Sequence, residues 1–197
     1  MIDNVSTKII GYLVSRSVLD ANNQEVIDYY HYGVEITISS IINILLILLL
    51  SAIFDSLMSG LIFLAVFVPT RQYTGGYHAD SYIKCNAVFS ISFLCVLLAS
   101  RFIGAAIPES LFIISLGIST LVIFVISPVP NHLKPMSMRS QYWKCKLTSI
   151  IFFGVYSVIS VFYLKNTVIY RYMVFFTLHL IAVLGILGMI KERRLQK

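Results

Sequence analysis

A thiol and an imidazole stand close together in the stretch RQYTGGYHADSYIKC: His78, six intervening residues, then Cys85. A thiolate can open a peptide bond by attacking its carbonyl carbon, provided a base first takes the thiol proton. Free cysteine has a pKa near ~8.5 and histidine one near ~6.5, so imidazole is the natural base at neutral pH. By itself the pattern is weak. An inert histidine at a membrane edge, beside a cysteine that only fills space, reads the same way.

Geometry narrows the possibilities. Seven positions on an unbroken helix would put both side chains on one face, about 10 Å apart along the axis. A proton relay needs about 3 Å. The chain must therefore bend between them, or a helix must begin just before Cys85. Gly75 and Gly76 permit a bend, because glycine accepts backbone angles other residues avoid. Asp80 or Ser81 could cap a new helix. Cys85 would then lie in the first turn or so, where open amides and the positive helix end favour a thiolate and could hold an oxyanion. Arg71 and Lys84 add positive potential. Arg71 has two readings, a ligand for a substrate carboxylate or an anchor to lipid phosphate. Gly75 and Gly76 either shape the site or turn the chain. Gln72 and Asn86 are further candidates for orienting the imidazole.

The other two cysteines compete poorly. Cys145, in the basic sequence WKCK, is a rival nucleophile, but the histidine in its connection, His132, is far along the chain. Cys95, inside SFLCVLL, reads as packing. An odd count without paired spacing gives no disulfide framework. A zinc ion wants three or four ligands, and His31, His132 and His179 fall in separate segments without ligand spacing. The sequence thus calls for no metal and no cofactor.

The elements that must position these residues are apolar. Of 197 residues, 58% are hydrophobic and 12% are charged, the latter well under the roughly 25% of soluble domains. Several runs reach spanning length, which predicts an all-α polytopic membrane protein. About six hydrophobic segments are expected, preceded by amphipathic amino-terminal helices. A single integral membrane domain would cover 1–197, with amphipathic helices over 1–32, a bundle over 33–190 and a basic tail over 191–197. The expected spans are Gly33–Phe54, Ser56–Thr70, Tyr82–Ser100, Leu111–Ile126, Thr148–Leu164 and Val168–Ile190. The second is short and is either a thin span or a re-entrant hairpin. Asn22 and Glu25 suggest a cap for a second amphipathic helix, EVIDYYHYG. The first residues, MIDNVSTKIIGYL, carry acids and no long apolar core, so no cleavable signal peptide is expected.

The net charge of +6 belongs to connections and tail, which points to lipid and topology rather than nucleic acid. Lys134, Arg139, Lys144 and Lys146 in one connection, and Lys191, Arg193, Arg194 and Lys197 in the tail, predict that both face the cytoplasm. Counting back through two spans puts Arg71–Lys84 on that same side. If Ser56–Thr70 crosses, the amino terminus is inside as well.

The stretch RQYTGGYHADSYIKC resembles the accessory gene regulator B (AgrB) family, membrane peptidases of Gram-positive quorum sensing. An arginine, a Gly-Gly-aromatic-His element and the following cysteine carry the resemblance. The segment leading into YGVEI and the connection SPVPNHLKPM extend it, and length and hydropathy fit nearly the whole chain. The resemblance implies that Cys85 is the nucleophile and His78 its base. The implied substrate is a small propeptide of the AgrD type, with an amphipathic leader and an acidic tail. Cleavage through an acyl-thioester, followed by closure of a thiolactone or lactone ring, is the implied reaction, and a homodimer the implied assembly. The competing readings are a transporter or peptide exporter without catalysis, or a peptidase of the same architecture acting on an unrelated peptide. Ionisable residues inside the spans would favour a transporter, and the spans are nearly free of them.

Overall fold

The computed structural model describes residues 2–20, 23–76, 81–129 and 139–195. Their backbone is almost wholly helical: α1 (Ile2–Ser15), α2 (Gln24–Ile53), α3 (Leu57–Thr74), α4 (Tyr82–Phe102), α5 (Glu109–Ile126), α6 (Arg139–Val158) and α7 (Val168–Leu195). A 3-10 turn, Gly104–Ala106, lies between α4 and α5, and a π turn, Ile159–Tyr163, prolongs α6. The chain forms two units, Met1–Leu46 and Ile47–Lys197.

Among the described residues, five helices are long and apolar enough to cross a bilayer: Gln24–Ile53, Tyr82–Phe102, Glu109–Ile126, Arg139–Tyr163 and Val168–Arg194. Their outer faces carry Leu45, Leu49, Ile91, Ile118, Leu121 and Val125, all exposed. So much exposed aliphatic surface suits lipid and not water. The protein is an all-α, multi-pass membrane protein.

Three boundaries differ from the sequence reading. The amphipathic helix EVIDYYHYG and the first span are one helix of 30 residues, α2. Its start is held by Asn23, whose Oδ1 accepts from the Val26 amide at 3.2 Å; the expected cap residue Asn22 lies outside the described residues. The short second segment is an uninterrupted 18-residue helix, α3, with Pro69 inside it. No re-entrant turn breaks it, but its polar end RQYT keeps it from the spanning set. Finally, α6 begins at Arg139 rather than Thr148, so WKCK is helical.

The second unit is built around α7. Half of the apolar stretch of α7 is buried, against 22% for α5, because α3, α4, α5 and α6 all pack on it. Aromatic rings fill the core. Phe63, Phe67, Phe89 and Phe93 join α3 to α4, and Phe112 stacks on Phe175 at 4.6 Å to join α5 to α7. Small hydroxyl residues line the inward faces, among them Ser92, Ser100, Ser119 and Thr177. Ser100 and Thr177 return their hydroxyl protons to carbonyls one turn back, at 2.7 and 2.6 Å, so these two hydroxyls stay satisfied where the helices approach closely.

The ends of the unit differ in chemistry. At one end Arg101 donates to the Phe54 carbonyl at 2.6 Å, and Arg171 meets Glu109 at 2.5 Å. The π turn exposes the Ser160 carbonyl, which accepts from Arg171 Nε at 3.2 Å, and the guanidinium lies 4.1 Å above the Phe112 ring. At the other end meet the close of α3, the start of α4, the close of α5 and the later part of α7. The residues singled out for chemistry lie there.

Candidate active site

Cys85 is placed by the start of α4. Ser81 has the extended backbone of a cap residue, and its Oγ accepts from the Lys84 amide at 3.3 Å. Its carbonyl accepts from the Cys85 amide at 2.9 Å. Tyr82 is thus the first helical residue and Cys85 lies at the end of the first turn, half-buried. Of the two expected caps Ser81 serves, while Asp80 lies outside the described residues. The first turn presents backbone N–H groups and the positive end of the helix to this side. The helix that carries Cys85 does not extend back past Tyr82, since Ser81 has extended backbone.

Arg71 and the glycines are placed by the close of α3. Pro69 lacks an N–H, so the Ala65 carbonyl one turn earlier loses its helical donor. Tyr156 of α6 supplies one, donating its hydroxyl to Ala65 O at 2.7 Å. Stacked rings continue the seam, Tyr73 on Phe152 at 5.8 Å and Phe152 on Tyr156 at 6.1 Å. The helix then ends at Thr74. Gly75 and Gly76 follow with φ of +66° and +126°, a region that L side chains rarely adopt.

The glycines are needed for space as well as for angle. The Thr74 carbonyl accepts from the Val129 amide at 2.8 Å, and Gly75 forms an isolated parallel bridge with Val129. A Cβ on Gly75 would fall 2.6 Å from the Val129 carbonyl oxygen. One on Gly76 would fall 2.8 Å from Arg71 Cζ and 2.9 Å from the Leu184 carbonyl oxygen. The short segment after α5 is itself anchored, with buried Ser127 Oγ 2.6 Å from Ser149 Oγ of α6. Arg71 of α3, Val129 of the segment after α5 and Leu184 of α7 therefore converge on the Gly-Gly element, and Ser149 of α6 braces that segment through Ser127. Of these, Val129, Ser149 and Leu184 act through backbone or a single hydroxyl and left no mark in the sequence reading. Ser127 sits in SPVPNHLKPM, which had drawn attention only by resemblance.

Arg71, packed over Gly76, reaches Cys85 electrostatically. A thiolate there would find a guanidinium as its counter-charge. The structure thus brings together Arg71, Gly75, Gly76 and the Cys85 turn. His78 lies outside the described residues, as does His132. Gln72 is exposed and Asn86 half-buried. Cys145 lies in the second turn of α6, half-buried, while Cys95 turns outward from α4 instead of into the core. Lys146, next to Cys145, sits over the rings of Phe124, Tyr142 and Trp143 at 5.4, 6.0 and 5.9 Å. Among the described residues no set of His, Asp, Glu or further Cys joins Cys85 in a metal-ligating group.

A family model described as accessory gene regulator B matches residues 6–189. "Putative AgrB-like protein 2" of Clostridium perfringens (strain 13 / Type A) is 28% identical over 166 residues, covering 82% of this chain and 76% of that protein. "Putative AgrB-like protein" of Clostridium perfringens (strain SM101 / Type A) matches with the same identity and coverage. No solved structure matches. With a motif, an architecture and a family match that runs almost from end to end, the chain belongs to the accessory gene regulator B family.

Proposed function

We propose that the protein is a membrane-embedded cysteine endopeptidase that trims the acidic tail from an AgrD-like propeptide and leaves it poised to cyclise. Family membership ties the chain to accessory gene regulator quorum sensing. The observation that carries the finer reading is Cys85 in the capped first turn of α4, within electrostatic reach of Arg71.

In this reading His78 takes the Cys85 proton and the thiolate adds to the scissile carbonyl. First-turn amides of α4 and the positive helix end stabilise the oxyanion. The tetrahedral intermediate collapses, the C–N bond breaks, and the imidazolium gives its proton to the leaving amine. The acyl group stays on Cys85 as a thioester. A cysteine or serine of the same peptide then gives its proton to His78 and adds to that carbonyl. The C–S bond to Cys85 breaks, a thiolactone or lactone closes, and the thiolate regains its proton. A poorly hydrated site slows water's attack on the thioester, so the tethered nucleophile wins by proximity. Arg71 serves as counter-charge and as a ligand for a substrate carboxylate, and Gly75 and Gly76 let it approach. The basic end of the bundle, with Lys84, Arg139, Lys144, Lys146, Arg193 and Arg194, faces the cytoplasm and attracts the acidic tail. The whole chain works as one membrane domain, and a homodimer is the assembly we expect.

Co-expression with the cognate propeptide tests this directly. Cys85→Ala and His78→Ala should each abolish tail release while the protein still inserts in the membrane, and Cys145→Ala should retain most activity. Normal processing by Cys85→Ala would falsify the reading.

A further inference from the structure

The first unit holds a second group of chemically capable side chains, independent of the Cys85 site. His31 and Glu35 lie one turn apart on α2, and Asp3 comes from α1. The His31 ring has a carboxylate at each nitrogen: Asp3 Oδ1 is 3.7 Å from Nε2, and Glu35 Oε2 is 4.0 Å from Nδ1. Thr7 Oγ1, one turn after Asp3 on α1, is 3.3 Å from the same Nε2. One ligand atom from each of Asp3, His31 and Glu35 can be chosen so that all lie within 4.8 Å of one another.

Two carboxylates converging on one imidazole gather one nitrogen and two oxygen donors in one place. We propose that Asp3, His31 and Glu35 bind a divalent transition-metal ion of the zinc class, linking α1 to the start of α2. One nitrogen and two carboxylate oxygens suit zinc better than calcium or magnesium, which prefer all-oxygen cages. Zinc bonds to such atoms are about 2.0–2.2 Å long, so the ligands must draw closer to one another than they now lie. Asp3 and Thr7 face Nε2, so the ion takes that nitrogen; Asp3, with 72% of its side chain exposed, swings inward, and the Glu35 carboxylate turns from its place beside Nδ1 toward the same ion. Water, or the Thr7 hydroxyl, completes a four-coordinate shell. The sequence hides this site because Asp3 is 28 positions from His31; only the meeting of α1 with α2 makes a ligand set. The ion acts as a clip, fixing the amphipathic helix α1, whose Val5, Ile9 and Tyr12 are exposed, against the start of α2.

The test uses the full chain in detergent micelles or nanodiscs, stripped of metal and titrated with Zn²⁺ by calorimetry. One saturable equivalent is expected, with a dissociation constant in the micromolar range. His31→Gln, Asp3→Asn and Glu35→Gln should each weaken it at least tenfold, while Cys85→Ala and Cys145→Ala leave it unchanged. Spin labels on α1 and α2 should report a narrower distance distribution on adding zinc to the wild type, and no change in His31→Gln. Lack of saturable binding overturns the proposal. So does binding that survives His31→Gln but is lost with Cys85→Ala, or a distance distribution that zinc leaves untouched, which is the result for a plain histidine–carboxylate ion pair.

Discussion

In the proposed mechanism, Arg71 is the residue on which the chemistry at Cys85 leans. A half-buried thiolate needs a nearby positive charge, and the guanidinium over Gly76 supplies one. Arg71→Gln should therefore slow alkylation of Cys85 by a small neutral reagent such as iodoacetamide at neutral pH, by several-fold. Rates measured in a Cys95→Ala, Cys145→Ala background isolate this sulfur. Gly76 acts at the same scale by subtraction. With φ at +126° and Arg71 Cζ 2.8 Å from any added Cβ, Gly76→Ala must both strain the backbone and push the guanidinium aside. A drop of at least tenfold in processing is expected, at unchanged membrane level on an immunoblot. A wild-type rate would mean that Arg71 need not sit where the structure puts it.

At the scale of elements, the seam between α3 and α6 decides whether the close of α3 is held in place. Pro69 strips a donor from the Ala65 carbonyl, and Tyr156 restores one from the neighbouring helix. Tyr156→Phe should cost about 1 kcal/mol, the scale of one hydrogen bond left unmade. Pro69→Ala returns the missing N–H, so the same Tyr156→Phe change should cost much less in that background. Unfolding of all four proteins in detergent closes the double-mutant cycle, and equal costs in both backgrounds would show the two groups to be uncoupled. The π turn at the far end of α6 plays a similar part, since its irregular backbone gives Arg171 a carbonyl to hold beside Glu109. Neither device shows in hydropathy. A proline within an apolar run reads as a break, and here it is a helix interior; an arginine in a predicted span reads as an exception, and here it is a paired, buried cation.

For the molecule as a whole, the reactive end must face one side of the membrane. From the count of lysines and arginines we propose that this end faces the cytoplasm. A membrane-impermeant maleimide should then spare Cys85 and Cys145 in intact cells and label Cys145 in inverted vesicles. Rapid labelling of either from outside would reverse the orientation.

Much of this protein was legible from its residues. The membrane class follows from composition, since bilayer core excludes unpaired backbone and so forces long apolar runs into helices. The end of one helix before Gly75 and the start of another at Ser81 follow from local backbone preference, which nearby residues settle among themselves. Those two facts were enough to put Cys85 in a first turn. The tertiary structure alone decided what surrounds it. Val129 beneath Gly75, Leu184 behind Gly76, Tyr156 on Ala65 and Asp3 beside His31 are meetings of segments from 28 to 108 positions apart in the sequence. Helix starts are written in short-range chemistry. Which carbonyl, ring or carboxylate comes to lie opposite a given side chain depends on how whole helices pack, and no stretch of fifteen residues carries that information.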